Sequence, residues 1–460
     1  MRGSLEQVAA SIAGASVTAD AAFDSVSTDS RTANAGALFV ALRGETFDAH
    51  DFLPQVAANG AAAVVAERLP EGWTLPAILV PDTLVALGQI ANGWRRQYDI
   101  PLIGVTGSNG KTTVKEMIAS ILAAAVGADA RLATQGNLNN EIGVPLTLMR
   151  LEASHRAAVV ELGMNHPGEI ARLAAIAQPT VALVNNAQRE HQEFMHTVEA
   201  VALENGSVFA ALPADGVAVY PGDDIYTGLW QGLAAACRSM TFGLTDACDV
   251  RATYVSTGFG NNLKVTTPDG AFELTLAAAG EHNVRNALAA VACALAAGIA
   301  PDTIVRGLES FAPVGGRLQR KQAAQGATVI DDTYNANPDS MRAAIDVLAA
   351  YPAPRILVVG DMGEVGTQGR EFHEEIGAYA HSRGIDTVLA TGELSRHLVA
   401  SGGSQQFQHF EQFDALLAAL DKQLGGNSDA TVLVKGSRFM KMERVVNHLI
   451  GSTNTGKDAH

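Results

Sequence analysis

The segment Gly104-Val-Thr-Gly-Ser-Asn-Gly-Lys-Thr-Thr113 sets glycines ahead of a Lys and two Thr, a pattern suited to gripping phosphate. Glycines let backbone N–H groups turn inward on phosphate oxygens, and the N-terminus of the following helix adds its dipole. Lys111 then reaches the terminal phosphates and Thr112 can ligate Mg²⁺. Val105 stands where the general GxxxxGK[ST] pattern has its first glycine, so the match is to the shorter TGxxGKT form. A glycine turn capping a helix would explain Gly107 and Gly110, but not Lys111-Thr112-Thr113. A phosphate loop alone leaves kinase, GTPase, ATPase and ligase chemistry open. Glu161, after an apolar run, is a candidate metal ligand, because Mg²⁺ takes a few carboxylates together with phosphates and water. His191, alone in a polar run, reads as a surface histidine. Asn283 and Asn286 are three apart at a helix start and share a face, either as caps or as ligand contacts. Asp331-Asp-Thr-Tyr-Asn-Ala-Asn-Pro338 is too dense a polar cluster for a plain turn. Gly316-Arg317, Gly360-Asp-Met362 and Val434-Lys-Gly-Ser-Arg438 add further polar or basic loops.

These groups need a scaffold, and the chain alternates short β-branched runs with Ala/Leu-rich stretches, the pattern of an α/β fold around parallel sheets. Strands are predicted over residues 62–66, 101–106, 157–162, 180–185, 328–331, 355–360, 387–391 and 430–435. A helix is predicted over 114–124 and a buried one over 288–300. Ligands of open parallel sheets sit at the carboxyl ends of the strands, which is where the polar groups above fall. Residues 254–276, with a Pro268-Asp269-Gly270 turn, read as a hairpin laid against the parallel sheet. Residues 76–81 and 99–101 bracket a helix leading out of a first domain, and 312–316, with one Pro and two Gly, read as a hinge.

A length of 460 residues predicts two to four domains, three being the central value. The balance of 32 Lys plus Arg against 48 Asp plus Glu gives a net charge of −16. That field repels phosphate backbones and anionic lipid, which sets aside nucleic-acid and membrane-surface binding. A polyanionic small substrate must then be met by local cations or a metal ion. Cys237, Cys248 and Cys293 have no CxxC spacing, so neither a disulfide framework nor a zinc site is indicated. There is no signal-peptide pattern and no apolar run of membrane length, so the chain reads as cytoplasmic, with a frayed tail over 451–460.

Over nearly its whole length the chain resembles the Mur ligases of bacterial cell-wall synthesis. The likeness is carried by Thr106-Gly-Ser-Asn-Gly-Lys-Thr-Thr113, Glu161-Leu-Gly163, the His191 loop, His282-Asn-Val-Arg-Asn286 and Gly316-Arg317. More discriminating are Asp332-Thr-Tyr-Asn-Ala-Asn-Pro338 with Ser340-Met341, Gly360-Asp-Met362 with Glu364, Asp29-Ser-Arg31, Gly36-Ala-Leu-Phe-Val-Ala-Leu42 and His50-Asp-Phe52. The tyrosine-asparagine run marks the member that adds D-alanyl-D-alanine to a UDP-N-acetylmuramoyl tripeptide. The resemblance implies three domains: an N-terminal α/β domain for the UDP end of the substrate (1–84), a central ATP-binding domain (85–313) and a C-terminal Rossmann-like domain (314–460). It implies ATP and Mg²⁺, activation of the tripeptide carboxylate as an acyl phosphate, and attack by the dipeptide amine.

By the same likeness, residues Thr106, Gly107, Ser108, Asn109, Gly110, Lys111, Thr112 and Thr113 would hold the nucleotide phosphates. Thr112 would hold a first Mg²⁺, with Glu161 and His191 on a second. Asn283 or Asn286 would face adenine, Asp332 the ribose, and Arg317 the γ-phosphate. Asn335 and Asn337 would border the nucleotide and dipeptide pocket. Ser30 and Arg31 would lie at the uridine end, and Thr134, Gln135, Asn137 and Asn140 along the substrate channel. The chain also departs from the pattern. Mur ligases usually carry a carbamoylated lysine as an anionic ligand of the second Mg²⁺; here the position holds Asn205, and no lysine occurs between Lys115 and Lys264. The Asn205 amide oxygen or the Glu204 carboxylate is expected to substitute. Glu190 replaces a usual alanine, Ala49 a glycine and Gly363 a leucine. A folylpolyglutamate synthase shares the phosphate loop but lacks the Asp-Ser-Arg domain and the tyrosine-asparagine run. An ATP-gated scaffold that has lost ligase chemistry would have no reason to keep Lys111, Thr112, Glu161, His191 and Arg317. A monomer is expected.

Overall fold

Strand Leu102–Thr106 lies inside a nine-stranded sheet, and its residues are apolar on both faces: Leu102 enters one core, Ile103 and Val105 the other. Such two-sided burial is what an interior parallel strand requires. The computed structural model describes residues 1–44 and 46–451, so all of the expected tail except Gly451 falls outside the described residues. Ala157–Glu161 and Val181–Val184 flank the central strand in parallel. Arg131–Ala133 closes one edge, while Val217–Pro221, Arg238–Gly243 and Val250–Ser256 continue the parallel order on the other side. Asn261–Thr267 and Gly270–Leu276 then extend that edge antiparallel. The expected hairpin is therefore part of the sheet rather than laid on its face. Asn261, Leu263, Val265 and Thr267 are buried while the residues between them are not, which suits an edge covered on one side only.

The helix after the phosphate loop spans Lys111–Val126 and begins three residues earlier than expected, because Gly110 takes the left-handed N-cap at φ 81°. Helix Pro301–Glu309 crosses it so closely that a Cβ on Gly307 would sit 2.4 Å from Ile121 Cα. Helix Glu281–Ala296 covers the same core and stops before Gly298, whose φ is 78°.

The N-terminal sheet runs Ser16–Val17, Ala77–Leu79, Ala63–Ala66, Ala37–Val40, Ser25–Ser27, parallel except at its first pair. Leu38, Val40, Val65 and Ile78 share one apolar core with helix Thr83–Arg95 and with Ala158, Val160 and Ala182 of the central sheet. The C-terminal sheet runs Gln319–Gln322, Thr328–Asp332, Thr431–Lys435, Arg355–Val359, Thr387–Thr391, Phe407–Phe410, again parallel except at its first pair. It is covered on both faces.

Polar contacts bring the C-terminal sheet to the central one. Arg189 reaches Asp339 and Glu375, each at 2.7 Å. Asn109 and Asn337 exchange side-chain hydrogen bonds of 2.9 and 3.3 Å, and Arg320 stacks over Phe259 at 3.8 Å. Arg189 also holds the Glu375 carboxyl below its ordinary value of 4.5. A depressed carboxylate contributes fully above that value and loses its contribution as the pH falls. Arg189→Ala should remove on the order of 2 kcal/mol of coupling, roughly 30-fold in the closed population. Small-angle scattering should show a larger radius of gyration for the variant at neutral pH, and expansion of the unmodified protein only below about pH 4.

Candidate active site

A cleft of about 910 Å³ opens where the carboxyl ends of the central strands face the C-terminal sheet. Residues 108–113 of the phosphate loop line it, with Glu161, His191, Asn283 and Asn286 from the central sheet's helices and loops. Arg317, Asp332, Asn335 and Asn337 line it from across the hinge, and Asn137 and Asn140 from the side.

The loop is braced from behind. The Asn109 amide donates to Asn186 Oδ1 at 2.9 Å, and Asn185 Nδ2 donates to the Asn109 carbonyl at 2.8 Å. Asn185 Nδ2 also donates to Asn286 Oδ1, and Asn286 Nδ2 to Asn283 Oδ1. A Cβ on Gly110 would lie 2.5 Å from Asn286 Oδ1, so glycine is needed there for space as well as for φ. Lys111 Nζ donates to the Gly107 and Ser108 carbonyls at 2.5 and 3.1 Å.

Glu161 ends its strand at 2% exposure. Its Oε1 accepts from Asn139 Nδ2 at 2.9 Å and the Thr112 hydroxyl at 3.2 Å, while Oε2 is buried without a partner. Glu190 is also buried, with Oε2 3.4 Å from Lys111 Nζ and Oε1 unpartnered. His191 Nε2 lies 3.8 Å from Glu190, and Nδ1 lies 2.8 Å from Glu364 Oε2 in the loop after strand Arg355–Val359, near enough for an ion pair though out of line for a hydrogen bond. His191 and Glu364 both adopt left-handed backbone, φ 47° and 56°, a strained state for side-chain-bearing residues that marks functional sites. The neighbouring His191 ring holds Glu364 below the usual carboxylate range.

On the other wall, Asp332 Oδ1 accepts the Leu318 amide and Oδ2 accepts Lys435 Nζ at 2.6 Å. Lys435 also donates to the Asn335 carbonyl. Arg317 stacks over the Tyr334 ring at 4.0 Å and makes no ion pair among the described residues. Nine carboxylates and five cationic side chains line the cleft, so it is acid-rich like the chain as a whole. Three of the five cations, Lys435, Arg285 and Arg189, are already closely paired, with Asp332, Asp223 and Asp339. A bound polyphosphate would therefore need metal ions as well as Lys111 and Arg317. The unpartnered buried oxygens of Glu161 and Glu190 are the donors that Mg²⁺ prefers. Among the described residues no three His, Cys, Asp or Glu groups already converge on a metal position.

Several expected residues fall outside this cleft. Thr106 and Gly107 lie just beneath the loop, and Gln135 is not on the cleft wall. The Thr134 hydroxyl accepts from the Glu161 amide, so it supports the site from behind. Ser30 and Arg31 belong to the N-terminal domain, where exposed Arg31 pairs with Asp29 at 2.7 Å. Asn205 is fully buried, with Oδ1 accepting from the Thr106 hydroxyl at 2.6 Å, and Glu204 accepts from the Gly168 and Ile170 amides at the start of helix Glu169–Ala177. Neither lines the cleft, contrary to the expectation that one of them would reach a metal. Sequence reading gives no role to Asn139, Asn185 and Arg189, whose only local sign is their place in polar runs after strands, and notes Lys435 only as part of the basic segment Val434-Lys-Gly-Ser-Arg438.

Family models match most of the chain: the Mur ligase middle domain over residues 105–294, the Mur ligase glutamate ligase domain over 316–438, and the Mur ligase family catalytic domain over 22–95. The chain is 41% identical to the UDP-N-acetylmuramoyl-tripeptide–D-alanyl-D-alanine ligase of Escherichia coli (strain K12) over 433 residues, 94% of each chain. It superposes on the crystal structure of MurF from Acinetobacter baumannii with a TM-score of 0.92, at 36% identity, covering 98% of this chain and 99% of that one. The MurF ligase of Thermotoga maritima in complex with ADP matches at a TM-score of 0.84 and 27% identity, covering 93% and 97%.

The Lys435–Asp332 pair yields a direct test. Lys435→Met leaves Asp332 without its cation in a site where both are largely buried, a loss of about 3–5 kcal/mol. The double variant Lys435→Met with Asp332→Asn should recover much of that stability in thermal denaturation. A double variant as unstable as the single one would show that the pair's charge is not what matters.

Proposed function

The chain belongs to the Mur ligase family, and from that premise we propose that it joins D-alanyl-D-alanine to a UDP-N-acetylmuramoyl tripeptide, cleaving ATP to ADP and phosphate. The observation that carries this reading is one cleft in which a phosphate loop and buried Glu161 face Arg317 and Asp332 of another domain. The ADP held by the Thermotoga relative supports nucleotide use.

In this reading a carboxylate oxygen of the tripeptide attacks the γ-phosphorus, ADP leaves, and an acyl phosphate forms. The dipeptide amine then attacks the acyl carbon and phosphate departs. Transfer of a phosphoryl group is mostly a matter of positioning and charge neutralisation. Residues 108–113 cradle the phosphates, Lys111 swings from the Gly107 carbonyl to the transferred group, and Arg317 meets it from the opposite wall. Thr112 would hold one Mg²⁺, and Glu161 with His191 another, supplying the positive charge that this acid-rich cleft lacks. Asn283 or Asn286 faces adenine, Asp332 the ribose, and Asn335 and Asn337 the nucleotide and dipeptide. Asn137 and Asn140 line the approach of the tripeptide, with Thr134 and Gln135 behind them and Ser30 and Arg31 at its uridine end. The N-terminal domain (1–84) would hold UDP, the central one (85–313) ATP, and the C-terminal one (314–460) would close over both. No helix among the described residues is long and apolar enough to cross a membrane. In this reading the enzyme acts as a monomer in the cytoplasm.

Phosphate release from ATP should require both the UDP-tripeptide and D-alanyl-D-alanine, and stop when EDTA removes the metal. Lys111→Ala should lower turnover at least about 100-fold, as expected for loss of a charge on the transferred group. Release with neither substrate would make the protein a plain ATPase.

A further inference from the structure

Resting on the ligase reading above, we propose that Glu190 is an anionic ligand of the divalent cation expected at Glu161 and His191. Glu190 is only 7% exposed, and its Oε1 is buried with no hydrogen-bond partner. A carboxylate withdrawn from water and left half unsatisfied is costly unless a cation completes it. The neighbouring cation, Lys111, lies 3.4 Å away and is shared with the Gly107 and Ser108 carbonyls. A triphosphate in the loop would draw Lys111 toward itself, leaving Glu190 to be matched by a charge that arrives with the nucleotide.

Glu161 stands in the same condition on the same cleft wall, with one oxygen held by Asn139 and Thr112 and the other open. Consecutive side chains of an extended segment point to opposite sides. The left-handed backbone at His191 breaks that alternation, so Glu190 and His191 both face the cleft. Two carboxylates and an imidazole nitrogen, with phosphate or water oxygens, are the donor types that suit Mg²⁺ or Mn²⁺; they do not already converge on one position, so the arriving cation and nucleotide would have to draw them together. Neither residue at the family's usual ligand position serves: Asn205 is neutral and bound to Thr106, and Glu204 caps a helix. The charge missing at position 205 thus reappears at position 190, encoded in the chain and independent of CO₂.

The test is Mn²⁺ titration by electron paramagnetic resonance with a non-hydrolysable ATP analogue, on the full chain. The unmodified protein should bind two Mn²⁺ per nucleotide complex, with or without bicarbonate. Glu190→Gln should keep the first and weaken the second at least tenfold, and Glu190→Asp should retain it in part. If Glu190→Gln fails to fold, the Asp variant carries the comparison. Two Mn²⁺ bound with unchanged affinity by the Gln variant would assign Glu190 to holding Lys111 and overturn the proposal. A single Mn²⁺ in the unmodified protein, or a second one that appears only with bicarbonate, would overturn it too. The ligase reading fails separately, if no amide product forms from ATP and both substrates.

Discussion

A carboxylate taken out of water has to be matched, and the carboxylate of Glu161 sets the terms for the site around it. It sits at the end of an interior strand because that strand is apolar on both faces, and the sheet leaves its last residue no exit to solvent. The surrounding structure answers with Asn139 and Thr112 on one oxygen and with the Thr134 hydroxyl on the backbone amide. Thr134 is held in turn by Lys115, a fully buried lysine on the phosphate-loop helix, which donates to its carbonyl. Helix, strand and cleft are tied through one charged group, whose second oxygen stays buried without a partner.

The second wall of the site belongs to another domain, so the geometry exists only while the two are together. Arg189 with its two carboxylates and the Asn109–Asn337 exchange hold that arrangement, and His191 meets Glu364 across the same boundary. Arg317, lacking an ion-pair partner among the described residues, lines the same cleft as Lys111. Alignment of reacting groups supplies much of what an enzyme gives to a reaction with little covalent chemistry of its own. Holding the two walls together is thus part of assembling the site, and residues 312–316 carry the chain from one wall toward the other.

Much of this was legible in the sequence, for physical reasons. The eight predicted strands all form, within a residue or so at each end, because continuous apolar runs buried on both faces carry their own signal. The phosphate loop is legible because glycine spacing and the Lys-Thr pair are local requirements. Arg238–Gly243 and Phe407–Phe410 are not announced in the sequence because their composition is mixed. Arg189 meets residues 150 and 186 positions away, and Lys435 meets Asp332 across 103, so no spacing rule announces them. Asn205 misled because its position suggested a ligand, whereas its full burial and its bond to Thr106 make it part of the packing beneath the loop.

The charge balance of the cleft has a thermodynamic consequence. Nine carboxylates face five cations, and most of those cations are already committed, so a nucleotide arriving alone would meet a field that repels it. A divalent cation arriving alone would find open carboxylate oxygens but no phosphate to complete its shell. On the proposed reading each ligand would therefore remove the other's main penalty, and the two would bind with positive coupling. By linkage that coupling is reciprocal: the factor by which the cation raises nucleotide affinity is the factor by which the nucleotide raises cation affinity. An acidic protein can in this way handle a highly anionic substrate without a basic surface, because the positive charge is brought in with the substrate and withheld from competing polyanions.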